Sequence, residues 1–215
     1  MPDIDVHSVP TMTHGRVLVR PARAAAARGV LVGFHGYMEN AAIQMKRLEA
    51  IPGTAAWTLV AIQALHRFYR GRSEDVVASW MTREDREDAI TDNLAYVASA
   101  LDLVPHDDRT RIIHAGFSQG VGMAFRAAVL GRDRASGVIA VGGDVPPELL
   151  ADASAEFPPV LILRGTRDDW YTSAKHEADV AALSARGARC HSVIYDAAHE
   201  WNAVVGEEIG AFIRG

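Results

Sequence analysis

Cysteine is nearly absent: the 215 residues hold one, Cys190. A lone thiol excludes an intramolecular disulfide and any metal site built on several cysteines. It fits a reducing compartment, so a cytoplasmic location is expected. A basic excess is missing too, with 22 Lys and Arg against 27 Asp and Glu and a formal net charge of −5. Nucleic-acid binders carry a cationic footprint, and an anionic membrane surface attracts basic segments; neither nucleic acid nor stable membrane association is expected. No apolar run approaches the roughly 18 residues of a membrane span. The opening MPDIDVHSVPTMTHG has acids and prolines where a secretory leader has a basic start and an apolar run. What is present is ordinary for a folded chain: 49% hydrophobic and 23% charged residues, 18 Gly and 9 Pro. That composition and length predict a single domain over 1–215.

Short, nearly continuous apolar runs alternate with helix-like stretches. The runs are Val30 to Phe34, Thr58 to Ile62, Arg111 to Phe117, Gly137 to Val141 and Val160 to Leu163. Such runs mark strands covered by helices on both faces, hence a parallel sheet. Val17 to Arg20 and His191 to Tyr195 read as strands nearer the edges. A helix over 83–104 is predicted by the stripe Ile90, Leu94, Val97, Leu101 and Val104, with Thr82 as N-cap and four acids in its first turn. A second helix, 119–130, is apolar almost all round, and a third runs over 173–186 between Thr172 and Gly187. The pattern predicts a three-layer α/β/α sandwich with a mostly parallel central sheet.

The strongest local signal is Gly116-Phe117-Ser118-Gln119-Gly120, between a strand and a buried helix. This is the context of a nucleophile elbow, in which a serine sits on a tight turn with small residues two positions either side. Ser118 is the candidate nucleophile. It needs a base and an acid, expected later in the chain at other strand ends. PVLILRGTRDDWY is a strand followed by a loop holding Asp168 and Asp169, and CHSVIYDAAHEW is a strand followed by His199. His199 is the candidate base. His114 reads as a satisfied core residue, and His7, His14, His106, His176 and His191 as edge or surface positions. No histidine pair has the spacing of a helical zinc motif, so no metal is expected. Asp168 is favoured as the acid; Asp169, Asp196 and Asp144 are the alternatives.

Acyl transfer also needs two N–H groups aimed at the developing oxyanion. Gln119, the residue after the nucleophile, supplies one, and Tyr37 in His35-Gly36-Tyr37 after an early strand supplies the other.

These pieces resemble the phospholipase/carboxylesterase group of α/β-hydrolases, which includes acyl-protein thioesterases. FHGYMEN, the tryptophan of VVASWM, GFSQG, RGTRDDWY and AAHEW carry the likeness, from about residue 30 to 202. The resemblance implies Ser118 as nucleophile, Asp168 as acid, His199 as base, and the Tyr37 and Gln119 backbones as the oxyanion hole. It departs in Arg164-Gly165, where the family has His-Gly, and in Ala197-Ala198-His199, where it has Gly-Gly-His or Gly-His. AIQALHRFYRGRSEDVVASWM also differs from the thioesterases' proline-rich loop. The related dienelactone-hydrolase-like enzymes commonly use cysteine, which Ser118 argues against.

The expected activity is hydrolysis of carboxylic esters with small or accessible acyl groups, without metal or organic cofactor. The alternatives are a thioesterase on acylated protein or acyl-CoA and, from another class, a non-catalytic protein that keeps the cleft for a ligand. Specificity is expected in a long loop over 63–82. There His66, Phe68, Tyr69 and Trp80 could wall the site and Arg67, Arg70 and Arg72 could meet an anion. His35 and Trp170 are further candidates for substrate contact. The segment between Ser118 and Asp168 is filled by a helix, a strand and a connector, so no inserted lid is expected.

Overall fold

The interior strands carry apolar side chains on both faces because each face is roofed by helices. The computed structural model describes residues 4–215. Its main sheet holds β1 (Arg16–Arg20), β2 (Gly29–Phe34), β3 (Trp57–Gln63), β6 (Ile112–Phe117), β7 (Gly137–Val141), β8 (Val160–Gly165) and β9 (Cys190–Tyr195). Their spatial order is β1-β3-β2-β6-β7-β8-β9, with β1 antiparallel to β3 and every other pair parallel. β2, β6, β7 and β8 are buried at every position, whereas the edge strands β1 and β9 are partly exposed.

Alternation along each strand divides the core in two. Val30, Val32, Val60, Ile62, Ile112, Val138, Val160 and Ile162 face one layer, which holds α2 (Arg86–Leu101), α3 (Gln119–Leu130) and α5 (Ser173–Ala185). Leu31, Leu59, Ile113, Ile139, Leu161 and Leu163 face the other, where α1 (Ala41–Ala50) and α6 (Ala203–Arg214) pack through Leu48, Val205, Ile209 and Ile213. A short α4 (Pro147–Ala151) follows β7. Among the described residues no helix is long and apolar enough to cross a membrane.

Four expectations change. The 63–82 segment is not a plain loop: β4 (His66–Tyr69) and β5 (Val76–Ser79) pair as an antiparallel hairpin. β4 is mostly exposed, and its His-Arg-Phe-Tyr sequence lacks the continuous apolar run of the interior strands. The helix read over 83–104 starts at Arg86, and Thr82 does not cap it. The Thr82 hydroxyl instead accepts from Glu84 N–H ahead of the helix, while Asp85 takes the N-cap position at φ 47°. His114 lies in the core but is not satisfied, since neither ring nitrogen has a hydrogen-bond partner among the described residues. Burial pushes its pKa down to about 4, so the ring is neutral at pH 7. His176, read as an edge or surface position, is buried and meets Ser192 Oγ through Nε2 at 3.0 Å.

Candidate active site

The elbow forms because the chain must turn sharply from β6 into α3. Ser118 has φ 51° and ψ −120°, outside the comfortable regions for an L-residue. Its flanking glycines are required by contact. A Cβ on Gly116 would stand 2.5 Å from the Gly120 carbonyl oxygen, and one on Gly120 would stand 2.2 Å from that of Phe34. The Ser118 N–H is held by the Val141 carbonyl at 2.9 Å.

At the same carboxyl edge of the sheet, β8 and β9 deliver the other two groups. His199 Nε2 lies 2.9 Å from Ser118 Oγ, and His199 Nδ1 lies 2.8 Å from Asp168 Oδ2. Asp168 is 2% exposed, and its second oxygen accepts the N–H groups of Trp170 and Tyr171 at 2.9 and 2.8 Å. Those two amides fix the carboxylate's rotation and leave Oδ2 for the histidine. The other acids are elsewhere. Asp169 is exposed, Asp196 pairs with Arg167, and Asp144 pairs with Lys175 at 3.2 Å.

The loop after β2 is pinned on either side of one amide. Gly36 N–H donates to Glu39 Oε2 at 2.8 Å, Met38 N–H to the Ala78 carbonyl at 3.2 Å, and Glu39 N–H back to the Gly36 carbonyl at 3.2 Å. Tyr37 N–H donates to no protein acceptor among the described residues, and neither does Gln119 N–H at the start of α3. Behind the loop, Arg47 of α1 grips Glu39 through both guanidinium ends. Burial raises the Glu39 pKa, but the Arg47 ion pair and the Gly36 N–H bring it below the ordinary value.

Comparison with known proteins now bears on this geometry. Residues 75–214 match the family model described as phospholipase/carboxylesterase. The chain belongs to the phospholipase/carboxylesterase family. By family it is a carboxylic-ester hydrolase. Its fold is shared with esterase PE8, with a TM-score of 0.77, 23% identity and coverage of 94% of this chain and 99% of that one. Zea mays acyl-protein thioesterase 2 gives a TM-score of 0.72 at 19% identity, covering 94% and 98%. A Bacillus cereus carboxylesterase gives 0.67 at 17% identity, covering 93% of each. No curated protein matches the chain significantly. The sheet order and helical layers are therefore those of an α/β-hydrolase, without an inserted lid among the described residues.

Within this carboxylesterase-family chain, three residues expected to touch substrate, His35, Phe68 and Trp80, do not line the cleft. His35 and Trp80 are both 0% exposed. Trp80 Nε1–H donates to the His35 carbonyl at 2.8 Å, and His35 Nε2 accepts from Ala64 N–H at 3.0 Å. They buttress the Tyr37 loop from behind, and burial lowers the His35 pKa. Phe68 is half-buried and packs on Tyr37, ring centroids 5.9 Å apart, while Trp170 is 76% exposed at the cleft mouth. Two of the hairpin arginines meet carbonyls: Arg67 reaches that of His14 and Arg70 that of Met38.

Ser118 opens into a cleft of about 290 Å³ shared with Gln119, Gly122, Arg126 and Trp170. Larger cavities, of about 520 and 870 Å³, open near Pro159 and Arg189 at the opposite ends of the strands, away from Ser118. The sequence reading missed Glu39, Arg47, Arg86 and Arg126. For Arg126 a signal existed: it is the only charged residue of α3, in an otherwise apolar helix.

Proposed function

We propose that this family member is a serine carboxylesterase in which Ser118 is the nucleophile, His199 the base and Asp168 the orienting acid. The observation that carries the reading is the continuous hydrogen-bonded chain from Ser118 Oγ through His199 to Asp168, at 2.9 and 2.8 Å. Nδ1–H of His199, donated to the Asp168 carboxylate, leaves Nε2 free to accept the serine proton. Oγ attacks the ester carbonyl, and the oxyanion meets the unpaired N–H groups of Tyr37 and Gln119. His199 then returns its proton to the departing alkoxide. Water, deprotonated by the same imidazole, attacks the acyl-serine and releases the acid.

The open cleft supports small or accessible acyl groups, and the balance of charges gives no reason to invoke nucleic acid or a membrane. Action in the cytoplasm accords with a chain of one cysteine. The same chemistry would cleave a thioester, and the name of the maize neighbour makes that the second reading. A fluorophosphonate probe should label the wild type and not Ser118→Ala. Folded wild type that resists the probe would end the hydrolase reading. Ester and thioester substrates sharing one acyl chain then separate the two readings.

A further inference from the structure

We propose that the cleft beside Ser118 recognises an anionic group on the substrate, close to the scissile ester, through Arg126 and Arg86. This rests on the serine-esterase reading and names the substrate class for the same site.

Ser118, Gly122 and Arg126 follow one another at helical spacing along the start of α3, so they share one face. Gly122 leaves that face open, and Arg126 leans back into the opening. A Cβ added at Gly122 would stand 2.9 Å from Arg126 Nη1. Gly122 is one turn from Ser118, roughly 6 Å along the axis. The guanidinium and Ser118 therefore line the same cleft, with Gly122 between them.

Arg126 is not fully spent on its ion pair. Its side chain is 6% exposed, and Nε and Nη2 both donate to Glu148 Oε1, at 2.8 and 2.6 Å. Nη1 has no protein acceptor among the described residues, and it faces the cleft that Arg126 lines. The same Glu148 also serves Arg86, whose Nη2 lies 3.3 Å from Oε2. Two guanidinium groups thus share one carboxylate. Among the described residues, the only other charges on the cleft wall, Lys175 and Asp144, neutralise each other at 3.2 Å.

Arg86 sits in the first turn of α2, where the helix dipole disfavours a cation. A surplus positive charge, held partly desolvated beside the nucleophile, is matched by a carboxylate or phosphate on the substrate. The hairpin arginines Arg67, Arg70 and Arg72 do not line this cleft.

The test compares matched neutral and anionic esters. One arm sets para-nitrophenyl butyrate against the para-nitrophenyl hemiesters of succinic and glutaric acid, with the anion on the acyl side. The other sets phenyl butyrate against para-carboxyphenyl butyrate, with the anion on the leaving group. In one arm the wild type should favour the anionic member by at least about tenfold in kcat/KM, the scale of a charge-assisted hydrogen bond. That ratio should collapse toward unity in Arg126→Gln, fall severalfold in Arg86→Gln, and shrink as salt is raised. Arg86 is half-exposed, so its variant carries the test should Arg126→Gln fail to fold. Hydrolysis of neutral esters with no anionic preference in either arm, or a preference that survives both substitutions, overturns the proposal alone. Folded protein that turns over no ester and resists fluorophosphonate overturns the esterase reading and this inference together.

Discussion

Arg47 holds Glu39 through two parallel bonds, Nη1 to Oε2 at 2.6 Å and Nη2 to Oε1 at 2.7 Å, directly behind the loop that presents Tyr37 N–H. The pair also reaches the neighbourhood of His199, the proposed base. The Arg47 guanidinium lies 4.3 Å from the Phe117 ring centroid, and that ring stacks at 5.0 Å on His199. One half-buried ion pair therefore braces both the proposed oxyanion donor and the proposed base.

Glu39→Gln should accordingly slow the chemical step more than it weakens binding. Removing an oxyanion donor outright costs about a hundredfold or more in kcat, so loosening one should cost about tenfold, with KM little changed. Steady-state kinetics on one activated ester decide it; an effect confined to KM would remove Glu39 from the positioning role. A pH signature accompanies this. The folded-state pKa of Glu39 lies below its ordinary 4.5. Its contribution to stability is therefore complete above pH 4.5 and is lost as pH falls through the lower folded value. The variant should lack that share of acid sensitivity.

The two adjacent aspartates should behave very differently. Asp168→Asn keeps the shape but lets the imidazole adopt the wrong tautomer, and kcat should fall by about ten-thousandfold. Asp169→Asn, altering an exposed side chain, should stay within about threefold. Parallel assays of the two variants check this, and comparable losses in both would undo the assignment of Asp168.

His114 should report on pH through stability, not rate. Its folded pKa of about 4 lies below the ordinary 6.5, so the unfolded chain binds the proton more tightly. Stability from the neutral ring is complete above pH 6.5 and is lost progressively toward pH 4, by roughly 3 kcal/mol. His114→Leu, of similar volume and without unpaired nitrogens, should flatten that part of the profile. Urea unfolding of both proteins at several pH values between 4 and 7 measures it; parallel profiles would show that His114 contributes nothing.

Which features could be read from the sequence follows from how many faces each segment buries. β2, β6, β7 and β8 touch helices on both sides, so their residues are apolar without interruption and stand out. GFSQG is a local pattern because the turn's steric demands fall on residues two positions apart. β4 escaped because it is mostly solvated and carries polar residues. α1 escaped as well, since buried Gln44 and half-buried Arg47 interrupt its apolar stripe. The Glu39–Arg47 and Arg126–Glu148 pairs left little trace, because each joins residues of no fixed spacing across a turn or between helices. Buried His35 and Trp80 looked like site walls for the opposite reason: nearness to the site along the chain says nothing about which way a side chain points.

β6 is the fourth of seven strands, with three on either side. The proposed nucleophile is thus tethered to the strand whose amides should be last to exchange with solvent, because opening it requires the whole sheet to come apart. The two-stranded hairpin with Phe68 belongs to a separate sheet at the rim. Local opening there leaves the β6 ladder intact. The two sheets should therefore open at different rates, with β5 still tied to the elbow because Gln119 Nε2 donates to Ser79 Oγ at 3.0 Å and Trp80 N–H to Gln119 Oε1 at 3.0 Å.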